Sequence, residues 1–171
     1  MGGYVAQIAA LDHPDLVRRL VLAATGPGGV PNQPLQPDKV RQIAPKAVLE
    51  DEDYLYLFFP ETAASRTAGP ASLRRLDHRL GRSHAEVTLE QVMAQTAAIR
   101  TYEGVWDRVP ELELPVLVAN GAHDVMIHAY ASYAMSQRLP NGKVVLYSDA
   151  GHAFLFQHYQ DFAREVLEFL R

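Results

Sequence analysis

The feature that most limits the fold is the run Leu114-Pro115-Val116-Leu117-Val118-Ala119-Asn120-Gly121, followed by a helix-length segment from His128 to Leu139 and then by Lys143 to Tyr147 (KVVLY). An apolar run of strand length, without polar alternation, marks a strand buried on both faces. Two strands joined through a helix form a parallel βαβ unit, whose right-handed crossover sets them side by side. A third run, Arg18 to Ala24 (RRLVLAA), has the same character and stops at Thr25-Gly26-Pro27-Gly28-Gly29. The expected class is α/β, with three parallel strands at about 18–24, 114–120 and 143–148.

Helices are expected around these strands. Gly3 to Leu11 has helical spacing and is stopped by His13-Pro14, while Tyr159 to Leu170 sets Phe162, Val166, Leu167 and Leu170 on one face. From Val30 to about Arg108 the character changes: prolines at 31, 34 and 37 lead into charged helical stretches at Lys39 to Glu50, Ala71 to Leu80 and Thr88 to Thr101. The chain therefore divides into a core of residues 1–29 and 109–171 and a helical insertion of residues 30–108. One sheet face is expected under the last helix and the other under the first helix and the insertion.

Composition removes several functions. The 171 residues suit one domain, and a net charge of -4 gives no basic footprint for nucleic acid. There is no cysteine, hence no disulfide, thiolate metal site or cysteine nucleophile, in keeping with a cytoplasmic location. The longest apolar run, Leu20 to Ala24, is too short to cross a bilayer, so no membrane role is expected. No cofactor motif is present; Gly26-Pro27-Gly28-Gly29 is too short and too far from a helix start to hold a phosphate and reads as the hinge into the insertion.

Loops that leave neighbouring parallel strands emerge on the same rim, where ligands of α/β sheets bind. One such loop carries Gly121-Ala122-His123-Asp124 and the next Ser148-Asp149-Ala150-Gly151-His152, so Asp124 and His152, 28 positions apart, are expected to meet. A carboxylate on Nδ1–H fixes the histidine tautomer and frees Nε2 as a general base. Taken singly, Asp124 also suits a turn or a helix cap, Asp149 is a rival acid better read as a turn residue, and most histidines are structural. His123 and His128 lack a third metal ligand, so no metal site is expected; His13, His78, His84 and His158 have no partner that spacing implies.

The residues at both ends resemble the α/β-hydrolase superfamily. Met1-Gly2-Gly3-Tyr4-Val5-Ala6, with His13-Pro14 and LVLAATGPGG, is similar to the region that follows the family's nucleophile elbow; PVLVANGAHDVMI matches its acid loop; YSDAGHAFLFQHYQDFAREVLEFL matches its histidine loop and last helix. The resemblance implies a partial α/β-hydrolase fold with a cap insertion, Asp124 as acid, His152 as base, and Met1 as the residue whose backbone N–H helps form the oxyanion hole. The elbow serine is not among these residues. Gly81-Arg82-Ser83-His84-Ala85 follows a charged helical stretch and reads as a chance match, while Ser65, Ser72, Ser132, Ser136 and Ser148 read as exposed helix, loop or turn residues.

The resemblance implies a cofactor-free serine hydrolase acting on a small ester or related acyl substrate, inactive as this chain alone. Tyr54, Phe58, Phe59 and Trp106 are the pocket candidates, with ordinary packing as the alternative. The strand at 18–24 would form an open edge, which points to a homo-oligomer or a complementing N-terminal chain. The alternative functions are a non-catalytic interaction module and a half-enzyme completed by a partner.

Overall fold

The computed structural model describes residues 1–43, 46, 48–80 and 88–171. Ser83 and its neighbours therefore lie outside the described residues. Three strands, β1 (Leu20–Ala23), β2 (Val116–Gly121) and β3 (Gly142–Tyr147), form a parallel sheet in the order β1-β2-β3. Leu20 pairs with Val116 and Val116 with Gly142. β2 lies between its neighbours and is buried throughout, as its uninterrupted apolar run requires.

The pleat divides the core in two. Leu20, Leu22, Val116 and Val118 face helix α1 (Gly2–Asp12) and helix α6 (Ala129–Ser136) through Ala10 and Met135, with Val109 and Leu112 closing that face. On the other side, Ala119 and Tyr147 pack on Ala150 and Phe154, joined by Phe162. Phe154 belongs to the short helix α7 (Phe154–Gln157) and Phe162 to α8 (Tyr159–Phe169). The first helix thus shares its face with α6, where the sequence led us to expect the insertion. Leu167 and Leu170 do not join the core: they are 63% and 51% exposed.

Among the described residues, four α-helices run between β1 and β2: α2 (Asp38–Ile43), α3 (Asp51–Phe58), α4 (Ala63–Leu80) and α5 (Leu89–Arg100). Of the stretch expected as one helix from Lys39 to Glu50, residues 39–43 are helical, whereas Lys46 and Val48 to Glu50 are not, and Ala44, Pro45 and Ala47 lie outside the described residues. The aromatic run begins instead in α3, which starts with a reciprocal capping box between Glu50 and Asp53. Lys46 reaches both Asp53 oxygens at 2.7 Å and, with the Glu50 backbone N–H, lowers its pKa. Val40, Ile43 and Leu57 form a small core of their own, resting on Val125 and Met126. That contact seats the helices on the loop after β2.

Candidate active site

The loop after β2 and the loop after β3 are stitched together by their backbones. Ala122 N–H donates to the Tyr147 carbonyl (2.9 Å) and His123 N–H to the Ala150 carbonyl (3.0 Å). Gly121 permits this approach, because a Cβ there would lie 2.2 Å from the Gly151 oxygen. Asn120, fully buried at the end of β2, donates to the Ile127 carbonyl (2.8 Å) and accepts from Gly121 N–H, closing the turn that presents Asp124.

Asp124 is 2% exposed and has three hydrogen-bond donors. Oδ1 accepts the N–H groups of Met126 and Ile127, each at 2.8 Å, and Oδ2 lies 2.8 Å from His152 Nδ1. With both oxygens engaged by donors, the carboxylate holds the imidazole by Nδ1–H and leaves Nε2 as the basic nitrogen. Among the described residues no hydrogen bond occupies Nε2. The imidazole meets the Phe58 ring edge-on, with centroids 5.4 Å apart, and the Ala153 N–H next to it donates to the Phe58 carbonyl (3.0 Å).

Asp149, the rival acid, is engaged elsewhere: its Oδ1 lies 2.8 Å from Nε2 of His158, a histidine to which spacing gave no partner. The His158 ring stacks on Tyr147, whose hydroxyl donates to Asp161 (3.0 Å). Burial, followed by this hydrogen bond to a carboxylate, pushes the Tyr147 phenol up to about 12. Asp161 is held low, first by Arg164 and then by Tyr147.

The remaining sequence candidates separate. Met1 stands at the head of α1, where its carbonyl accepts from Tyr4 and Val5. Gly3 lies against Thr25 in the loop after β1, so the head of α1 and that loop share the rim of the sheet. Phe58 touches His152 and stacks on Tyr54 at 6.0 Å. Phe59 lines a cavity of 670 Å³ between α3, α4 and the Ala122–Val125 loop, together with His123 and His128. That cavity reaches Asp124 and Gly151, whereas Tyr54, Phe58 and Trp106 are not in its wall. Trp106 packs against the α1-side core beneath the Arg138 guanidinium.

Among the described residues no three His, Asp or Glu side chains gather to hold a metal, and no helix is long and apolar enough to cross a membrane. Sequence reasoning missed Asn120, although a polar residue ending an apolar strand was a usable signal. It also misread two serines. Ser65 is 1% exposed and Ser132 is wholly buried, because each falls on the inward face of its helix.

The profile of a family described as serine aminopeptidase, S33, matches residues 1–158. Among curated proteins, the chain is similar to a 2-hydroxy-6-oxononadienedioate/2-hydroxy-6-oxononatrienedioate hydrolase of Burkholderia vietnamiensis, at 30% identity over 100% of this chain and 60% of that protein. Among solved structures, an α/β-hydrolase fold protein from Chitinophaga pinensis aligns with a TM-score of 0.81 and 27% identity, covering 98% of this chain and 61% of its own. A thermophilic esterase from Thermogutta terrifontis shares the fold at a TM-score of 0.74 and 22% identity, over 99% of this chain and 61% of that one. The chain spans about 60% of the length of the curated hydrolases it matches.

Proposed function

The chain belongs to the serine aminopeptidase S33 family of α/β-hydrolases, and from that premise we propose that it carries the acid and base of a cofactor-free serine hydrolase. The substrate class is an ester or related acyl compound, extending to the dienedioates named for its curated relatives. One observation carries the reading: the 2.8 Å bond between buried Asp124 and Nδ1 of His152, with Nε2 unoccupied among the described residues.

In this reading a serine from outside the 171 residues completes the site. His152 Nε2 takes its proton as the hydroxyl attacks the acyl carbon, and Asp124 stabilises the resulting imidazolium. The oxyanion is met by the backbone N–H of Met1, an amide when residues precede it. The proton then passes from Nε2 to the leaving group, and water repeats the cycle in reverse. We place this chemistry in the cytoplasm, in keeping with a chain that has no cysteine.

The test joins the elbow-bearing segment of the Burkholderia relative to the head of this chain and assays aryl esters and dienedioates. Turnover that disappears in His152→Ala is the expected result. Full turnover in that variant removes His152 from the site, and turnover by the 171 residues alone refutes an external nucleophile.

A second reading rests on β1, which among the described residues pairs with β2 alone. Such an edge invites a further strand, from a second copy or from a complementing chain. The chain would then act as an interaction module or as half of an enzyme. Sedimentation at rising concentration is expected to give masses above 19.0 kDa; a monomer throughout refutes self-association.

A further inference from the structure

Helix α4 contributes a side chain to the base loop that the proposed chemistry does not use. Ser65 Oγ lies 2.8 Å from Gln157 Oε1 and 3.1 Å from the Asp149 carbonyl. Gln157 Nε2 reaches the same carbonyl at 3.2 Å, and Thr62 Oγ1 reaches it at 3.1 Å while accepting the Ser65 N–H at 3.2 Å. Counting protons leaves one consistent arrangement. Ser65 has a single hydroxyl proton, and the nearer acceptor is Gln157 Oε1. The Asp149 carbonyl then receives its two hydrogen bonds from Gln157 Nε2 and Thr62, and every group in the ring is satisfied.

The ring grips the histidine segment on both sides. Asp149 stands three residues before His152 and Gln157 five residues after it, at the end of α7. The same segment is held from α3 through the bond of Ala153 N–H to the Phe58 carbonyl. A hydroxyl buried to 1% exposure on an otherwise half-open helix is costly unless it is bonded.

We propose that Ser65 is a positioning residue for His152, through which the inserted helices fix the height and tilt of the imidazole against Asp124. The inference rests on the acid–base reading above and adds to it a mechanical link: displacement of α4 loosens the base.

The test needs no turnover. The 171-residue chain, labelled with nitrogen-15 at histidine, is followed by long-range proton–nitrogen spectroscopy, with His152→Ala assigning the ring signals. The native chain is expected to show a protected Nδ1–H on His152. In Ser65→Ala that proton should exchange about tenfold faster, the effect of one lost hydrogen bond, while β2 backbone amides keep their rates. Gln157→Ala should do the same, and the double variant no more than either. If Ser65→Ala does not fold, Gln157→Ala, at a half-buried residue, gives the comparison from the other end of the bond. Exchange at His152 within twofold of the native rate in a folded variant overturns the proposal, as does acceleration shared equally by β2. Absence of the Nδ1–H in the native chain refutes the acid–base reading itself.

Discussion

Gly121→Ala is expected to part the Asp124 loop from the His152 loop. The added Cβ would meet the Gly151 oxygen at 2.2 Å and the Ala150 oxygen at 2.4 Å, where ordinary contact begins at 3.4 Å. Both obstacles are backbone, so no side chain can swing aside. Gly121 also lies outside the set of positive-φ glycines, so its own backbone accepts alanine and contact alone decides the outcome. Relief requires a shift of about 1.2 Å, taking overlap out of the repulsive wall. Such a shift carries His152 with Gly151 and stretches its 2.8 Å bond to Asp124 to about 4 Å, beyond hydrogen-bonding range. It also breaks the bond from His123 N–H to the Ala150 carbonyl. Overpacking and one lost backbone bond together predict a loss of about 3 kcal/mol. Urea unfolding followed by circular dichroism reads the stability, and the His152 Nδ1–H signal reads the contact. Gly2→Ala, with nothing within 4 Å of its Cβ, is the control. A Gly121→Ala chain within about 0.5 kcal/mol of native, with its Nδ1–H signal intact, would refute the reasoning.

In the chain joined to the elbow-bearing segment of the Burkholderia relative, Asp124→Asn should lower kcat by about 10⁴ through the wrong histidine tautomer; steady-state kinetics showing less than a tenfold loss would count against Asp124 as the acid. Asn120→Ala leaves the Ile127 carbonyl and the Gly121 N–H without their side-chain partners and should cost about 2–4 kcal/mol in urea unfolding; a change below 1 kcal/mol in that measurement would contradict the role given to it. Tyr147 binds its proton more tightly folded than unfolded, so its contribution is complete below pH 10 and is lost as pH rises towards 12. Tyr147→Phe should flatten the fall in melting temperature across that range, and an unchanged slope would remove Tyr147 as its source.

What was legible in the sequence follows from how local each cause is. β2 could be read because burial on both faces leaves an unbroken apolar run, and β3 because Val144 to Tyr147 is an apolar run of strand length even though most of it stays partly open to solvent; Asp124 and His152 followed because parallel strands put their exits on one rim. The extent of α3 was hidden: Tyr54 to Phe59 is apolar at every position, so it has no period, and its helical state is set by the capping box at Glu50 and Asp53. Ser65 was misread for a different reason. Its burial comes from Asp149 and Gln157, 84 and 92 positions away, which no window along the chain contains. The α8 stripe was visible, yet Leu167 and Leu170 stay in solvent, because a stripe shows which face a helix can bury and not how far a neighbour covers it.

The register of the sheet also orders events in time. Val116 meets Gly142 across 26 positions, but Leu20 must wait for Val116, 96 positions later. Closing the longer loop costs about 1 kcal/mol more in chain entropy, so β2, α6 and β3 are expected to condense first and β1 to dock onto them. During synthesis at roughly 5–20 residues per second, Leu20 emerges several seconds before its partner. Through that interval the segment RRLVLAA waits without β2, its partner in this sheet.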